Sequence, residues 1–270
     1  MNRAILVALL FTAALSAADQ NTLVDEAYRQ MYNLEFDDAH KTLEQWRQEH
    51  PEDPMGPASD AAAWLYSEFA RMHVLESEYF VENNSFFHMK RVSPDAAVKQ
   101  KFDADLDQAK RLADVALAHA PGDPNALLAA ILCSGLRSDY LAMIEKRYLA
   151  ALTEVKTSRA IAENALAAHP DLYDAYLAIG EENYLLSQKS APVRWMLRMS
   201  GAQTDKQEGI EKLRLTAEKG RYFAPYAKLL LAVADLRDNR VASARQKLAS
   251  LVAAFPRNVL YRTELAKLRS

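Results

Sequence analysis

One cysteine in 270 residues, Cys133, excludes any intramolecular disulfide. The fold must rest on buried apolar surface, and a chain of this length buries enough without a cross-link. Cys133 lies between Leu132 and Ser134 in an apolar stretch with no base beside it, the setting of a packed core thiol rather than a nucleophile. Glycine is scarce too, at seven residues. There is no Gly-x-Ser-x-Gly elbow and no phosphate-cradling Gly-x-x-x-x-Gly-Lys loop. Zinc-ligand spacings of the His-Glu-x-x-His or Cys-x-x-Cys kind are missing as well. So is an excess of positive charge: the formal net charge is -3, which gives no general attraction to nucleic acid or anionic lipid.

What the chain has in quantity is apolar residues, at 50%, with much alanine, leucine, glutamate and lysine. That balance favours helix over sheet. The first eighteen residues stand apart. Arg3 gives a positive start, Ala4 to Ala14 form a short apolar run, and Ser16 and Ala18 place small residues before Asp19. This is the pattern of a cleaved secretory signal peptide, and the run is shorter than the roughly 20 residues of a membrane span. No cysteine near Asp19 offers a site for a lipid anchor. A periplasmic or secreted protein is therefore expected, with residues 1–18 as leader and 19–270 as one helical domain.

Helix, proline, helix junctions organise the remainder. The alanine-rich run from Ala160 to Ala168 ends at His169-Pro170, and Asp171 stands ready to cap the next helix, whose apolar residues Leu172, Tyr176 and Ile179 have helical spacing. Similar stops occur at His50-Pro51, Ala120-Pro121 and Phe255-Pro256. Helices are expected from Leu23, from Phe36 to Glu49, from Ala58 to Glu82, from Lys101 to Ala120, from Asn125 to Lys146 and from Tyr148 to Ala168. Others follow from Asp171 to about Gln188, from Gln207 to Lys219, from Tyr222 to Arg237 and from Val241 to Ala254. A polar terminal helix from Asn258 to Leu268 is expected to cover the open end of the stack. Two stretches interrupt the pattern. Asn83 to Pro94 carries Phe86-Phe87 and an Asn83-Asn84-Ser85 triplet, and Lys189 to Lys206 carries Arg194-Trp195-Met196-Leu197-Arg198-Met199, expected to pack into the array's edge.

The junctions resemble the tetratricopeptide repeat, a 34-residue helix-turn-helix that stacks into a superhelix. The last unit carries Leu231, Ala232, Asn239, Val241, Ala244, Leu248, Leu251 and Pro256 in matching places. The first carries Ala27, Phe36, Ala39, Leu43, Trp46 and Pro51, and Tyr176, Ile179 and Gly180 match a middle unit. Intervals between Pro51, Pro121, Pro170 and Gly220 exceed the family period, so the middle units have long helices or insertions. Met196 to Val233 is also similar to part of a eukaryotic tetratricopeptide family linked to inclusion-body clearance. The resemblance implies an all-α superhelix of about five helix pairs plus a C-terminal capping helix.

It also implies that the inner helices line a concave binding face. Spacing places Asp174, Leu177, Glu181 and Tyr184 on that face, and Tyr226, Leu229 and Val233 on the last inner helix beside them. The expected function is an exported adaptor or assembly factor that binds a protein or peptide through this face, with an envelope membrane-associated partner among the candidates. The alternative is a periplasmic carrier of a small molecule or peptide. No catalytic role, nucleic-acid partner, metal or cofactor is expected. His50, His119 and His169 sit at helix ends, where a cation interacts favourably with the helix dipole. The expected export has a direct check: the protein isolated from its host should have a mass that begins at Asp19, and a chain beginning at Met1 would refute cleavage.

Overall fold

The computed structural model describes residues 22–74 and 93–268. Every regular element among them is a helix. In order these are α1 (Leu23–Tyr32), α2 (Phe36–Glu49), α3 (Met55–Arg71), α4 (Ala96–His119) and α5 (Pro124–Asp139), which runs on through a π turn, Tyr140–Ile144. Next come α6 (Tyr148–Ala168), a 3-10 turn (Tyr173–Ala175), α7 (Tyr176–Ser187) and α8 (Ala191–Met199). Then follow α9 (Lys206–Lys219), α10 (Ala224–Arg237), α11 (Val241–Ala254) and α12 (Val259–Lys267). Nearly every helix packs on the one before it and the one after it, in a repeat-like all-α array. The leader, the Phe86-Phe87 pair and the Asn83-Asn84-Ser85 triplet lie outside the described residues. So does the end of the helix expected to reach Glu82; α3 itself stops at Arg71.

Four helix ends share one geometry, and proline dictates it. His50, Ala120, His169 and Phe255 leave their helices with φ between -136° and -128° and ψ between 65° and 87°. Each precedes a proline, whose ring clashes with a helical residue before it. Three residues on, an N–H returns to the same carbonyl: Asp53 to His50, Asp123 to Ala120, Leu172 to His169 and Asn258 to Phe255, all at 3.0–3.1 Å. In three cases that residue also accepts the first N–H groups of the next helix. Asp53 takes Met55 at 2.9 Å, Asp123 takes Ala126 at 2.8 Å, and Asn258 takes Leu260 and Tyr261 at 2.9 and 3.1 Å. The expected cap Asp171 does not act as one. Capping falls on the third residue after the pre-proline position, where this junction has Leu172, and the chain enters α7 through the 3-10 turn instead.

The first described helix meets the later part of the described chain. The Tyr32 hydroxyl donates to the Tyr222 carbonyl at 3.0 Å, and the Asn258 amide donates to the Tyr32 carbonyl at 2.8 Å. Asn33 accepts the Arg257 N–H at 3.1 Å, and Arg221 pairs with Asp25. Tyr28 packs edge-on against Phe223, and Tyr32 lies against Phe255, with ring centroids 5.6 and 5.2 Å apart. α12 consequently buries Tyr261, Glu264 and Leu265. The expected outward-facing cover of an open end is instead part of an inner wall.

α8 also departs from expectation. None of its nine residues is buried, and Trp195 and Met199 are 65% and 72% exposed. Its anchors lie just after it: Glu182 accepts the Gln203 N–H at 2.9 Å, and Asn183 accepts the Asp205 N–H at 2.8 Å. With residues 203–205 held there, α9 packs directly on α7 and α8 is looped out.

The α7–α9 crossing depends on two glycines. A Cβ on Gly209 would sit 2.5 Å from the Tyr184 backbone nitrogen, and one on Gly180 would sit 2.9 Å from that of Leu213. Gly209→Ala is the sharper test, because alanine in a helix interior ordinarily gains about 1 kcal/mol. Here overpacking reverses the sign: thermal unfolding should show a loss of roughly 1–3 kcal/mol. A stabilised variant would refute the close approach.

Candidate functional site

Four side chains from distant parts of the chain converge inside the array: Tyr66 on α3, Asp139 at the end of α5, Glu181 on α7 and Tyr226 on α10. The π turn after Asp139 helps to place it. Tyr140 is held by stacking on Phe102, with centroids 5.0 Å apart and the Lys99 ammonium 4.9 Å from its ring. π turns of this kind recur at functional positions because they re-aim neighbouring side chains. Glu181 accepts the Tyr226 hydroxyl at 3.1 Å, and the rings of Tyr66 and Tyr226 lie 6.4 Å apart.

The electrostatics of the group are unusual. Burial pushes the Glu181 carboxyl up to about 7 against the Tyr226 hydrogen bond, which acts the other way. Burial, and then repulsion from Glu181, hold Asp139 well above the ordinary carboxylate range. Burial and these carboxylates raise both phenols. No lysine, arginine or histidine among the described residues offsets either acid. Asp139 makes no hydrogen bond among the described residues. It is enclosed by protein as fully as a core residue, yet it retains accessible surface.

An apolar cavity of about 80 Å³ adjoins these residues, with Tyr66 and Tyr226 in its wall. α1, α10 and α12 supply most of the remainder, through Met31, Leu229, Val233 and Leu260 among others. It exists because α1 meets the later helices.

The residues expected on the concave face divide into three groups. Glu181 and Tyr226 come together, and Leu229 and Val233 line the adjoining cavity. Leu177 is half-buried between two core clusters. Asp174 and Tyr184 are corrections. The Asp174 carboxylate is buried in the junction before α10, where it accepts the N–H groups of Arg221, Tyr222 and Phe223 at 2.8, 3.2 and 2.8 Å. It does there what proline and a cap do at the other junctions. Tyr184 is fully buried, with its backbone against Gly209. The helical register that put it beside Glu181 is right within one turn, but the close α9 crossing covers it.

Asp139 and Tyr66 were missed. An acid ending a long apolar run was a usable signal for Asp139; nothing in the local pattern marks Tyr66. A second polar cluster joins α2, α3 and α4, where Arg47 bridges Asp60 and Asp105 at 2.8 and 2.9 Å and His40 pairs with Asp60. Trp64 donates to Asp105 at 3.1 Å. It pairs its own charges, and His40 Nε2 is sealed from solvent. We read it as an inter-helix tie. No group of three metal-ligating side chains occurs among the described residues.

A search against protein-family models finds no match, and a search of curated proteins finds none.

The Glu181 geometry makes a pH-dependent prediction. The folded chain holds that proton up to about 7, above the ordinary value of 4.5. The folded state therefore binds more protons than the unfolded state between those values, and stability falls as pH rises through that window. Glu181→Gln keeps an acceptor for Tyr226 and removes the charge. Thermal unfolding should show a gain of roughly 1–3 kcal/mol at pH 8 and little change at pH 4. A loss at pH 8 would mean that the charge is compensated.

Proposed function

We propose that this chain is an exported, tetratricopeptide-like binding protein that carries a small molecule or short peptide segment in its interior, in a bacterial periplasm. It acts by binding and not by catalysis. One observation carries the reading: Tyr66 and Tyr226 line an apolar cavity, Tyr226 donates to Glu181, and no cation among the described residues compensates Glu181 or Asp139. Buried charge is costly unless paired. A ligand that completes the pairing makes sense of an interior which the fold alone leaves uncompensated. Small-ligand sites have this make-up, apolar walls with a few convergent polar groups.

The adaptor reading remains the second one, and α8 favours it. Its uncovered face of Trp195, Met196 and Met199 is the kind of surface that a protein partner covers. Export itself rests on the leader pattern, and the repeat family on the junction residues.

Native mass spectrometry of the protein isolated from its host tests the carrier reading. The parent chain should carry an added mass, and Leu229→Trp, which fills the cavity from its half-buried wall, should lack it at unchanged helical content. A stoichiometric protein partner held equally by both chains, with no added mass on either, would replace the carrier by the adaptor.

A further inference from the structure

The carboxylates say more than that something binds. We infer that Asp139 and Glu181, framed by Tyr66 and Tyr226, bind the ammonium group of a primary amine whose short aliphatic remainder occupies the adjoining cavity. The inference rests on the carrier reading and specifies its ligand.

Charge is the first argument. Two acids enclosed together, without a cation acting on either among the described residues, give an interior whose field turns negative as Glu181 ionises above about 7. Desolvation by the surrounding protein amplifies that field relative to water. Hydrogen bonding is the second. Asp139 is enclosed, has no partner among the described residues and keeps accessible surface. The Tyr66 hydroxyl has no partner either, and one Glu181 oxygen is taken by Tyr226 while the other is left over. Those three acceptors match the three donors of an ammonium group. The third argument is the frame: Tyr66 and Tyr226, with ring centroids 6.4 Å apart, stand between the acids' cluster and the cavity that both line.

The neighbouring space decides between an organic cation and a metal ion. A calcium ion wants six to eight oxygens, and the site offers at most six, with the Tyr226 hydroxyl and one Glu181 oxygen already engaged with each other. The cavity beyond the tyrosines is lined by Met31, Leu229, Val233, Leu236 and Leu260, and its volume of about 80 Å³ suits a short aliphatic group. A cationic head with a small apolar tail satisfies both halves.

Calorimetric titration of the full chain with n-butylamine, n-butanol, butyrate and calcium chloride tests this at pH 8. Butylamine should bind about tenfold or more tightly than butanol, and butyrate not measurably. Asp139→Asn and Glu181→Gln should each weaken butylamine by about tenfold or more while leaving butanol unchanged. Unchanged butanol binding also shows that the variants are folded. Affinity for butylamine should fall between pH 8 and pH 5, as protons compete for Glu181. Tyr66 and Tyr226 stay protonated throughout that range. Equal binding of butanol and butylamine, or variants indistinguishable from the parent, would overturn the amine inference and leave the carrier reading standing. Calcium binding abolished by the same variants, without amine binding, would replace the amine by a metal ion. If no probe binds although the added mass of the native protein is present, the amine inference fails alone. If that mass is missing too, both fail.

Discussion

The interior depends on the bond between α1 and the later part of the described chain. α10 and α12 would otherwise present Tyr226, Leu229 and Tyr261 to water, as the open face of a stack. The exposed ion pair between Arg221 and Asp25 contributes little to that closure, because solvent screens it. Aromatic burial contributes more: Tyr28 is held among Tyr222 and Phe223, with ring centroids 5.0 and 5.6 Å away, and such pairs add about 0.5–1.5 kcal/mol each beyond their buried area. Asn33 fixes the register. It is buried, its amide donates to the Arg29 carbonyl at 3.0 Å within its own helix end, and it accepts from Arg257 at 3.1 Å. A side chain satisfied on both sides defines one docking position, since slippage would leave a buried amide unpaired.

The treatment of acids elsewhere in the chain gives Asp139 and Glu181 their meaning. Asp174 is buried and accepts three backbone N–H groups. Glu182 is buried and takes Arg159 at 2.7 Å and the Gln203 N–H at 2.9 Å. Asp235 is buried and takes Arg240, Ser243 and Lys247 at 2.9, 2.6 and 2.6 Å. Each is compensated within the fold. Glu181 and Glu182 are neighbours on one helix, about 100° apart around its axis, and they meet opposite conditions. Glu182 faces α6 and its arginine, whereas Glu181 faces the interior and finds a phenol. Compensation is therefore available to this fold at Asp174, Glu182 and Asp235, and among the described residues it is withheld at Asp139 and Glu181.

Much of the fold was legible, because proline acts locally. A ring clash with the preceding residue needs no tertiary information, so His50, Ala120, His169 and Phe255 marked helix ends directly. Cap position was less legible: Asp171 has the right chemistry, but it stands one residue short of the place set by the turn. The candidate site was half legible for a similar reason. Helical spacing put Glu181 near Tyr226, and the two side chains meet. It could not separate Tyr184, one turn from Glu181, since the closeness of α9 depends on a missing Cβ at Gly209, well beyond the reach of any local pattern. Nor could it give Asp174 its role, which arises only when residues 221–223 fold back onto it. The meeting of α1 with the later helices was invisible to a repeat pattern, which describes neighbours and says nothing of distant units.

α8 and the interior now stand as two different departures from what stability asks. A looped-out helix with Trp195 and Met199 in water gains nothing from their apolar surface. Two uncompensated acids subtract from stability at neutral pH. The first departure is exposed on the outside of the array, so its complement is another surface. The second is enclosed and takes something no larger than a small ligand or a side chain. They are joined through α7: Glu181 faces inward from it, while the adjacent Glu182 and Asn183 hold residues 203–205, from which α8 is suspended. Any adjustment of α7 that accompanies filling of the interior therefore reaches the anchors of α8 directly. Contact along one rigid helix is the shortest route by which occupancy inside could be felt outside.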